Sequence, residues 1–215
     1  MTEKDLKVPL RIVRDGIPYI LTPLAISIVL LVLGYWYIAL LFIVVAVFMC
    51  LFFRDPQREP PQDPNVIVSP ADGRVMHVTK LDGNEATSST LISIFLSPLD
   101  VHINRAPIAG KIVDVSYTRG KFLMATDNNA SLTNEQNTIT IEGNQITIAC
   151  KQIAGFLARR IVCWKSKGDN VALGERFGLI KFSSRTDLIL PENVEVLVTK
   201  DSRVRGGVTI IGRIR

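Results

Sequence analysis

Gly178-Leu-Ile-Lys-Phe-Ser-Ser-Arg-Thr-Asp-Leu-Ile-Leu-Pro191 holds two strand-like apolar runs separated by a pair of serines. Taken alone, small polar residues between apolar runs read as a turn. The same pattern recurs on both sides of it. Residues 66–68, 74–78, 91–95, 111–117, 138–142, 145–149, 160–164, 178–182, 188–190 and 195–198 are short, rich in β-branched side chains and bounded by Gly, Pro, Asn or Asp. Glu142-Gly-Asn-Gln145 reads as a hairpin turn. Helical periodicity is scarce, 152–159 being the best short candidate. Residues 65–215 are therefore expected to form a mainly β domain.

Two internal echoes refine this. Pro70-Ala-Asp-Gly-Arg-Val75 is similar to Pro107-Ile-Ala-Gly-Lys-Ile112, a turn leading into a strand. Val171-x-x-Gly174…Gly178-x-Ile180 is similar to Val204-x-x-Gly207…Gly212-x-Ile214. Repeated turn–strand units point to a barrel or sandwich closed by pseudo-symmetric halves, a hybrid barrel like those of lipoyl and biotinyl carriers.

The N-terminal part is different. Residues 17–53 carry no charge. As one helix of ~1.5 Å rise per residue they would run roughly 55 Å, against a hydrocarbon core of about 30 Å. Gly34-Tyr-Trp-Tyr37 interrupts the run with a glycine and interfacial aromatics. Two short helices, 17–33 and 37–53, fit better. Lys4, Lys7, Arg11 and Arg14 precede the run, and Arg54 and Arg58 follow it. The positive-inside rule then keeps both ends in the cytoplasm. The run is too long for a signal-peptide core and lacks a convincing cleavage site. The expected order is a basic cytoplasmic segment 1–16, a membrane hairpin 17–53, a proline-rich linker 54–64 and a cytoplasmic β-rich domain 65–215, placing the protein at the cell membrane.

The net charge of +5 favours anionic partners. No basic–aromatic interleaving suggests nucleic acid, so an anionic lipid bilayer is the better match. Cys50, Cys150 and Cys163 are odd in number and form no Cys-x-x-Cys. They read as reduced core or membrane residues, not a disulfide or zinc framework.

Titratable catalysts are few. His77 lies inside a strand pattern and reads as structural. His102 lies in Ser97-Pro-Leu-Asp-Val-His-Ile-Asn-Arg-Ala-Pro107, a loop-like stretch. Asp72 sits in Pro-Ala-Asp-Gly, where turn aspartates often cap their own backbone. Ser184, His102 and Asp72 can be written as a Ser/His/Asp set, although only geometry defines one. Arg159 and Arg160 are either a solvated face or a lipid-phosphate site, since arginine forks match phosphate oxygens. Lys111, Arg119 and Lys121 read as basic surface near anionic headgroups.

Several motifs occur in order: the apolar hairpin, Phe53-Arg-Asp-Pro56, Ser69-Pro-Ala-Asp-Gly73, Asp100-Val-His-Ile-Asn-Arg-Ala-Pro107, Ala130-Ser-Leu-Thr-Asn-Glu-Gln-Asn137, Gln152-Ile-Ala-Gly-Phe-Leu-Ala-Arg-Arg-Ile161 and Phe177-Gly-Leu-Ile-Lys-Phe-Ser-Ser-Arg185. Together they resemble the short prokaryotic phosphatidylserine decarboxylases, a family that includes archaetidylserine decarboxylases. The resemblance covers nearly the whole chain. It implies a pyruvoyl enzyme that makes its cofactor from Ser184 by cutting the Ser183–Ser184 bond, without metal. The products would be a membrane-bound β chain ending at 183 and an α chain, 184–215, paired in the same sheet. It implies that His102 is the base, with Asp72 orienting it. The keto group would condense with the serine amine of phosphatidylserine or archaetidylserine and act as electron sink as CO2 leaves, giving the ethanolamine lipid. A homodimer is also implied. Two positions depart from the family pattern: Ser183 stands where glycine is usual, and Arg105 stands where longer members carry a second histidine. Arg105, with Arg159 and Arg160, is carried forward as a substrate-binding candidate.

Two other classes compete. A membrane-tethered β-barrel adaptor fits the carrier-like echoes but lacks a Met-Lys-Met carrier site. A membrane serine hydrolase could use Ser184, His102 and Asp72 but lacks a Gly-x-Ser-x-Gly elbow.

Overall fold

The computed structural model describes residues 11–81, 89–124, 126–127, 129–156, 160–182 and 184–215. Arg159, Ser183 and the two N-terminal lysines fall outside them. The chain divides into two compact units, Met1–Gln57 and Arg58–Arg215.

In the first unit the uncharged run forms helices α1 (Ile17–Val32) and α2 (Trp36–Phe52). Gly34, at φ 84°, is what separates them. The Tyr35 N–H reaches the Leu30 carbonyl at 2.9 Å and the Gly34 N–H the Leu31 carbonyl at 3.1 Å. This is a Schellman cap, which needs a left-handed residue that glycine supplies without strain. The hairpin closes at its base: the Val13 N–H donates to the Phe53 carbonyl at 3.0 Å and the Asp55 N–H to the Arg11 carbonyl at 2.7 Å. A Cβ on Gly16 would lie 2.4 Å from that of Phe53, so only glycine allows this approach. By length and composition, the stretch Arg14–Val32 is long and apolar enough to cross a membrane. The 17 residues of α2 span only about 25 Å.

The second unit contains β1 (Val66–Val68), β2 (Gly73–Leu81), β3 (Ser89–Leu96), β4 (Ile103–Arg105), β5 (Gly110–Thr118), a short helix α3 (Ala130–Thr133), β6 (Gln136–Glu142), β7 (Thr147–Ala154), β8 (Arg160–Cys163), β9 (Asn170–Val171), β10 (Arg176–Lys181), β11 (Ser184–Pro191), β12 (Val194–Val196), β13 (Arg203–Val204) and β14 (Ile210–Ile214). A curled eight-stranded sheet runs β13-β2-β3-β11-β7-β6-β5-β9, and two three-stranded sheets run β4-β10-β8 and β1-β14-β12. The mainly β domain with an N-terminal helix pair is as expected. Its core is aliphatic: Val75, Ile92, Ile94, Ile139, Ile141, Ile148, Leu188 and Phe177 are fully buried. Each such side chain contributes roughly 1.5–3 kcal/mol.

The echoes are a real pseudo-twofold. β1 and β2 match β4 and β5, while β13 and β14 match β9 and β10. The Val68 N–H donates to the Pro107 carbonyl at 3.0 Å, and the equivalent Arg105 N–H donates to the Pro70 carbonyl at 2.9 Å. Both β2 and β5 have a register shift at matching places, Val75/His77 and Ile112/Asp114. The Val75 N–H binds the Ser202 carbonyl at 2.9 Å as the Ile112 N–H binds that of Asp169 at 2.8 Å.

Three local expectations are corrected. Gln152, Ile153 and Ala154 are not the start of a helix but the end of β7, paired with both β6 and β11. Two ladders outweigh weak helix propensity there. The loop-like 97–107 contains strand β4. The strand expected at 188–190 starts four residues earlier, so the polar residues Ser184, Arg185, Thr186 and Asp187 lie inside the central strand and are buried.

Candidate active site

Ser184 lies where the chain enters the large sheet from another. Lys181 ends β10 in the β4-β10-β8 sheet, and Ser184 begins β11 in the large sheet. Between them Phe182 has φ 62°. Left-handed backbone costs a residue with a Cβ roughly 1–2 kcal/mol, so strain is stored one peptide unit ahead of Ser183. Ser184 is fully buried and registers with Leu96 of β3 and Ala154 of β7. Its hydroxyl oxygen has no hydrogen-bond partner among the described residues. Leaving such a group unpaired costs about 1–3 kcal/mol, a cost that calls for an explanation.

His102 immediately precedes β4 and is buried. Its carbonyl accepts the Ile180 N–H at 3.3 Å. Its Nδ1 lies 2.9 Å from the Asp100 carbonyl oxygen. A carbonyl only accepts, so Nδ1 donates to it, and whenever the ring is neutral its lone pair falls on Nε2. The Asp100 carboxylate fixes this turn by accepting the Ser97 N–H at 2.9 Å and an Arg203 donor at 3.1 Å.

A buried amide chain ties the histidine strand to the serine strand. Asn137 donates to Gln152 at 2.9 Å, Gln152 to Asn104 at 2.9 Å, and Asn104 to the Thr186 hydroxyl at 3.0 Å. A Cβ on Gly178 would meet Nε2 of Gln152 at 2.8 Å, so glycine makes room for the relay. Side chains alternate along a strand. Ser184 and Thr186 therefore share one face of β11. The Asn104–Thr186 bond ties that face to β4, two residues after His102.

Asp72 is elsewhere engaged. Its Oδ2 accepts from Arg58 at 2.8 Å and its Oδ1 from the Gly206 N–H at 2.7 Å. The ring partner at Nδ1 of His102 is a backbone carbonyl, and the Asp72 carboxylate is held by Arg58 and Gly206. Burial pushes the Asp72 carboxyl upward against the opposing pull of Arg58 and Gly206. The cap of the Ser69-Pro-Ala-Asp turn is supplied instead by Ser69, whose hydroxyl donates to the Ala71 carbonyl at 2.7 Å. Arg58, counted by charge alone as part of the basic flank, is largely buried against Asp72.

Arg105 is buried on the face of β4 opposite Asn104, donating to the Gly174 carbonyl at 3.1 Å. A Cβ on Gly207 would strike its Cδ at 2.7 Å. It therefore sits between the two equivalent glycine turns of the pseudo-repeat. Arg160 is exposed at the start of β8, across from Lys181.

Residues not foreseen from sequence flank Ser184. Lys181 is buried. Arg185 and Asp187 form a buried pair at 2.6 Å. Arg185 also donates to the Ser93 hydroxyl at 2.7 Å, and the Ser131 hydroxyl donates to Asp187 at 2.7 Å. Cys150, Cys163 and Cys50 are free thiols, and burial pushes that of Cys150 far up, leaving it inert.

Residues 45–212 match the family described as phosphatidylserine decarboxylase. The chain belongs to the phosphatidylserine decarboxylase family. Among the relatives, a phosphatidylserine decarboxylase proenzyme of Pelodictyon phaeoclathratiforme is 50% identical over 167 residues, 77% of this chain and 79% of the relative. One of Solibacter usitatus is 47% identical over 204 residues, 95% of this chain and 97% of the relative. One of Carboxydothermus hydrogenoformans is 42% identical over 213 residues, 98% of this chain and all of the relative. A phosphatidylserine decarboxylase that exists as a proenzyme suits a structure in which a strained turn precedes a buried serine hydroxyl.

Proposed function

We propose that this chain is a self-processing phosphatidylserine decarboxylase whose prosthetic group is a pyruvoyl made from Ser184. The observation that carries the reading is the buried Ser184 hydroxyl at the head of a central strand, without a hydrogen-bond partner among the described residues and two residues after left-handed Phe182. The fit of a pyruvoyl rests on that same atom: Oγ is the one side-chain heteroatom of Ser184, and no described residue bonds to it.

Maturation uses the chain's own groups. Nε2 of His102 takes the Ser184 hydroxyl proton. Oγ adds to the carbonyl carbon of Ser183, the peptide C–N bond breaks, and the nitrogen of 184 receives the proton, leaving an ester. Loss of the α-proton of 184 then breaks its Cβ–O bond and releases the Ser183 carboxylate. The remaining dehydroalanine adds water, loses ammonia and becomes the pyruvoyl end of 184–215. In turnover that keto group supplies an electron sink for loss of CO2. His102 moves a proton at the substrate carbon, and burial by β3 and β7 excludes water from Ser184. Arg160, which is exposed, is the candidate to meet a lipid phosphate. The apolar hairpin holds the chain in the membrane with the catalytic unit on the cytoplasmic side.

Intact-mass spectrometry of the purified protein tests this. Two chains are expected, with 184–215 blocked at its N-terminus, and Ser184→Ala should remain whole and inactive. A stable, uncut wild-type chain would refute the self-processing reading. Cleavage without CO2 release from phosphatidylserine would refute the substrate.

A further inference from the structure

Ser184 lies at one end of the large sheet. β11 and β6 begin at that end, with Ser184 and Gln136. β3, β5 and β7 finish there, as the pairs Ser184↔Leu96, Ser184↔Ala154 and Thr118↔Gln136 require. Three connections leave this end: the 97–102 loop, the 119–135 segment that includes α3, and the chain after Ala154.

Exposed apolar side chains gather on those connections. Among the described residues of the second unit, the large apolar side chains more than 60% exposed are Leu99 at 68%, Met124 at 67%, Leu132 at 79% and Phe156 at 61%. All four belong to this end, as does Tyr117 at 54%, whereas elsewhere in the unit the highest value is 49% at Leu197. Two of them stand next to anchored residues. Asn134 donates to the carbonyls of Leu123 at 2.9 Å and Ala154 at 2.8 Å, which holds the neighbour Met124 in place. Ser131, next to Leu132, is anchored on Asp187 at 2.7 Å. Exposed Arg119, Lys121 and Arg160 stand among them. Exposed apolar knobs accompanied by cations match the two attractions of an interfacial lipid-binding surface, apolar burial and charge.

We propose that this end of the catalytic unit seats on an anionic bilayer. Leu99, Met124, Leu132 and Phe156 enter the interfacial layer, and Arg119, Lys121 and Arg160 meet the headgroup phosphates. The inference rests on the proposed lipid substrate in one respect. A phospholipid keeps its tails in the membrane, so its headgroup reaches Ser184 only where the rim around Ser184 touches the bilayer.

The full chain in vesicles containing phosphatidylserine decides the matter. Leu132→Trp and, as control, Leu197→Trp are compared with the parent in vesicles of brominated lipid. The tryptophan added at 132 should be quenched and that at 197 should not; equal quenching, or none at 132, overturns the proposal. Met124→Asp/Leu132→Asp should raise KM roughly tenfold for vesicle-borne phosphatidylserine, through loss of apolar insertion. It should leave kcat/KM for a short-chain, water-soluble phosphatidylserine unchanged. Equal loss on both substrates, or vesicle activity restored only by a second protein, also overturns it. If the parent releases CO2 from neither substrate, the decarboxylase reading fails while the quenching still decides the docking.

Discussion

Arg58 and Asp72 are joined by an ion pair of 2.8 Å whose side chains are only 13% and 14% exposed. Burial nevertheless leaves the Asp72 carboxyl above its ordinary value, the pull of Arg58 and of the Gly206 N–H being the smaller effect. Arg58→Ala removes that pull and leaves a buried, poorly compensated charge. The expected loss is about 3 kcal/mol near neutral pH, measured by urea unfolding. The sign comes from linkage. Below the unfolded value near 3.8 the carboxyl is protonated in both states and carries no charge penalty. The penalty sets in as pH rises through the raised folded value. The destabilisation by Arg58→Ala should therefore shrink as pH is lowered towards 4.

The backbone orientation of His102 yields a second test. His102→Ala should slow self-cleavage by about 10²–10⁴-fold, the usual worth of a positioned base. Asp100→Asn should mature at close to the wild-type rate, because the acceptor of Nδ1 is the carbonyl of residue 100 and that remains. A time course of intact mass after synthesis reads both. Efficient cutting in His102→Ala would remove it as the base.

Thr186 ends the amide relay. Thr186→Val keeps the shape but leaves the Asn104 amide without its acceptor. A cost of about 1–3 kcal/mol in stability is expected, together with slower cleavage. Thr186→Ser restores the hydroxyl and should recover the cleavage rate. Equal rates in the Val and Ser variants would show that the relay does not position the site.

Ser183 replaces the glycine usual in the family. Glycine visits both signs of φ with little cost, whereas serine does not. Ser183→Gly should therefore raise the cleavage rate, read as the ratio of cut to uncut chain with time. A slower variant would show that the serine is adapted to this turn.

Much of the fold was legible because apolar patterning is local. The uncharged run with Gly34 gave both helices, and β-branched clusters gave most strands. The first half of β11 was not legible. Ser184, Arg185, Thr186 and Asp187 look like a solvent-facing turn until Ser93, Asn104 and Ser131 are known to surround them. A buried polar strand is specified by partners distant in sequence, which no local window contains. β4 did have a signal. It stands before Pro107 as β1 stands before Pro70, so extending the internal echo by a few residues would have found it. For the site, the residue types were readable but not their pairings. Nothing near Asp72 in the chain points to Gly206, and nothing near His102 reveals that its ring leans on a main-chain oxygen.

The change of sheet between β10 and β11 governs the fate of the two products of the proposed cut. Lys181 and Ser184, on either side of the bond, lie in different ladders, so breaking the bond opens neither. Residues 184–215 keep β11 between β3 and β7 and β14 between β1 and β12. The nicked protein is then a two-chain complex formed without any association step. Its unfolding becomes a dissociation, with a thermal midpoint that rises with protein concentration as the precursor's does not. Once heated apart, the two chains must find each other in solution, an encounter the precursor never needed. A matured enzyme that recovered fully after heating, at a rate independent of dilution, would rule this out.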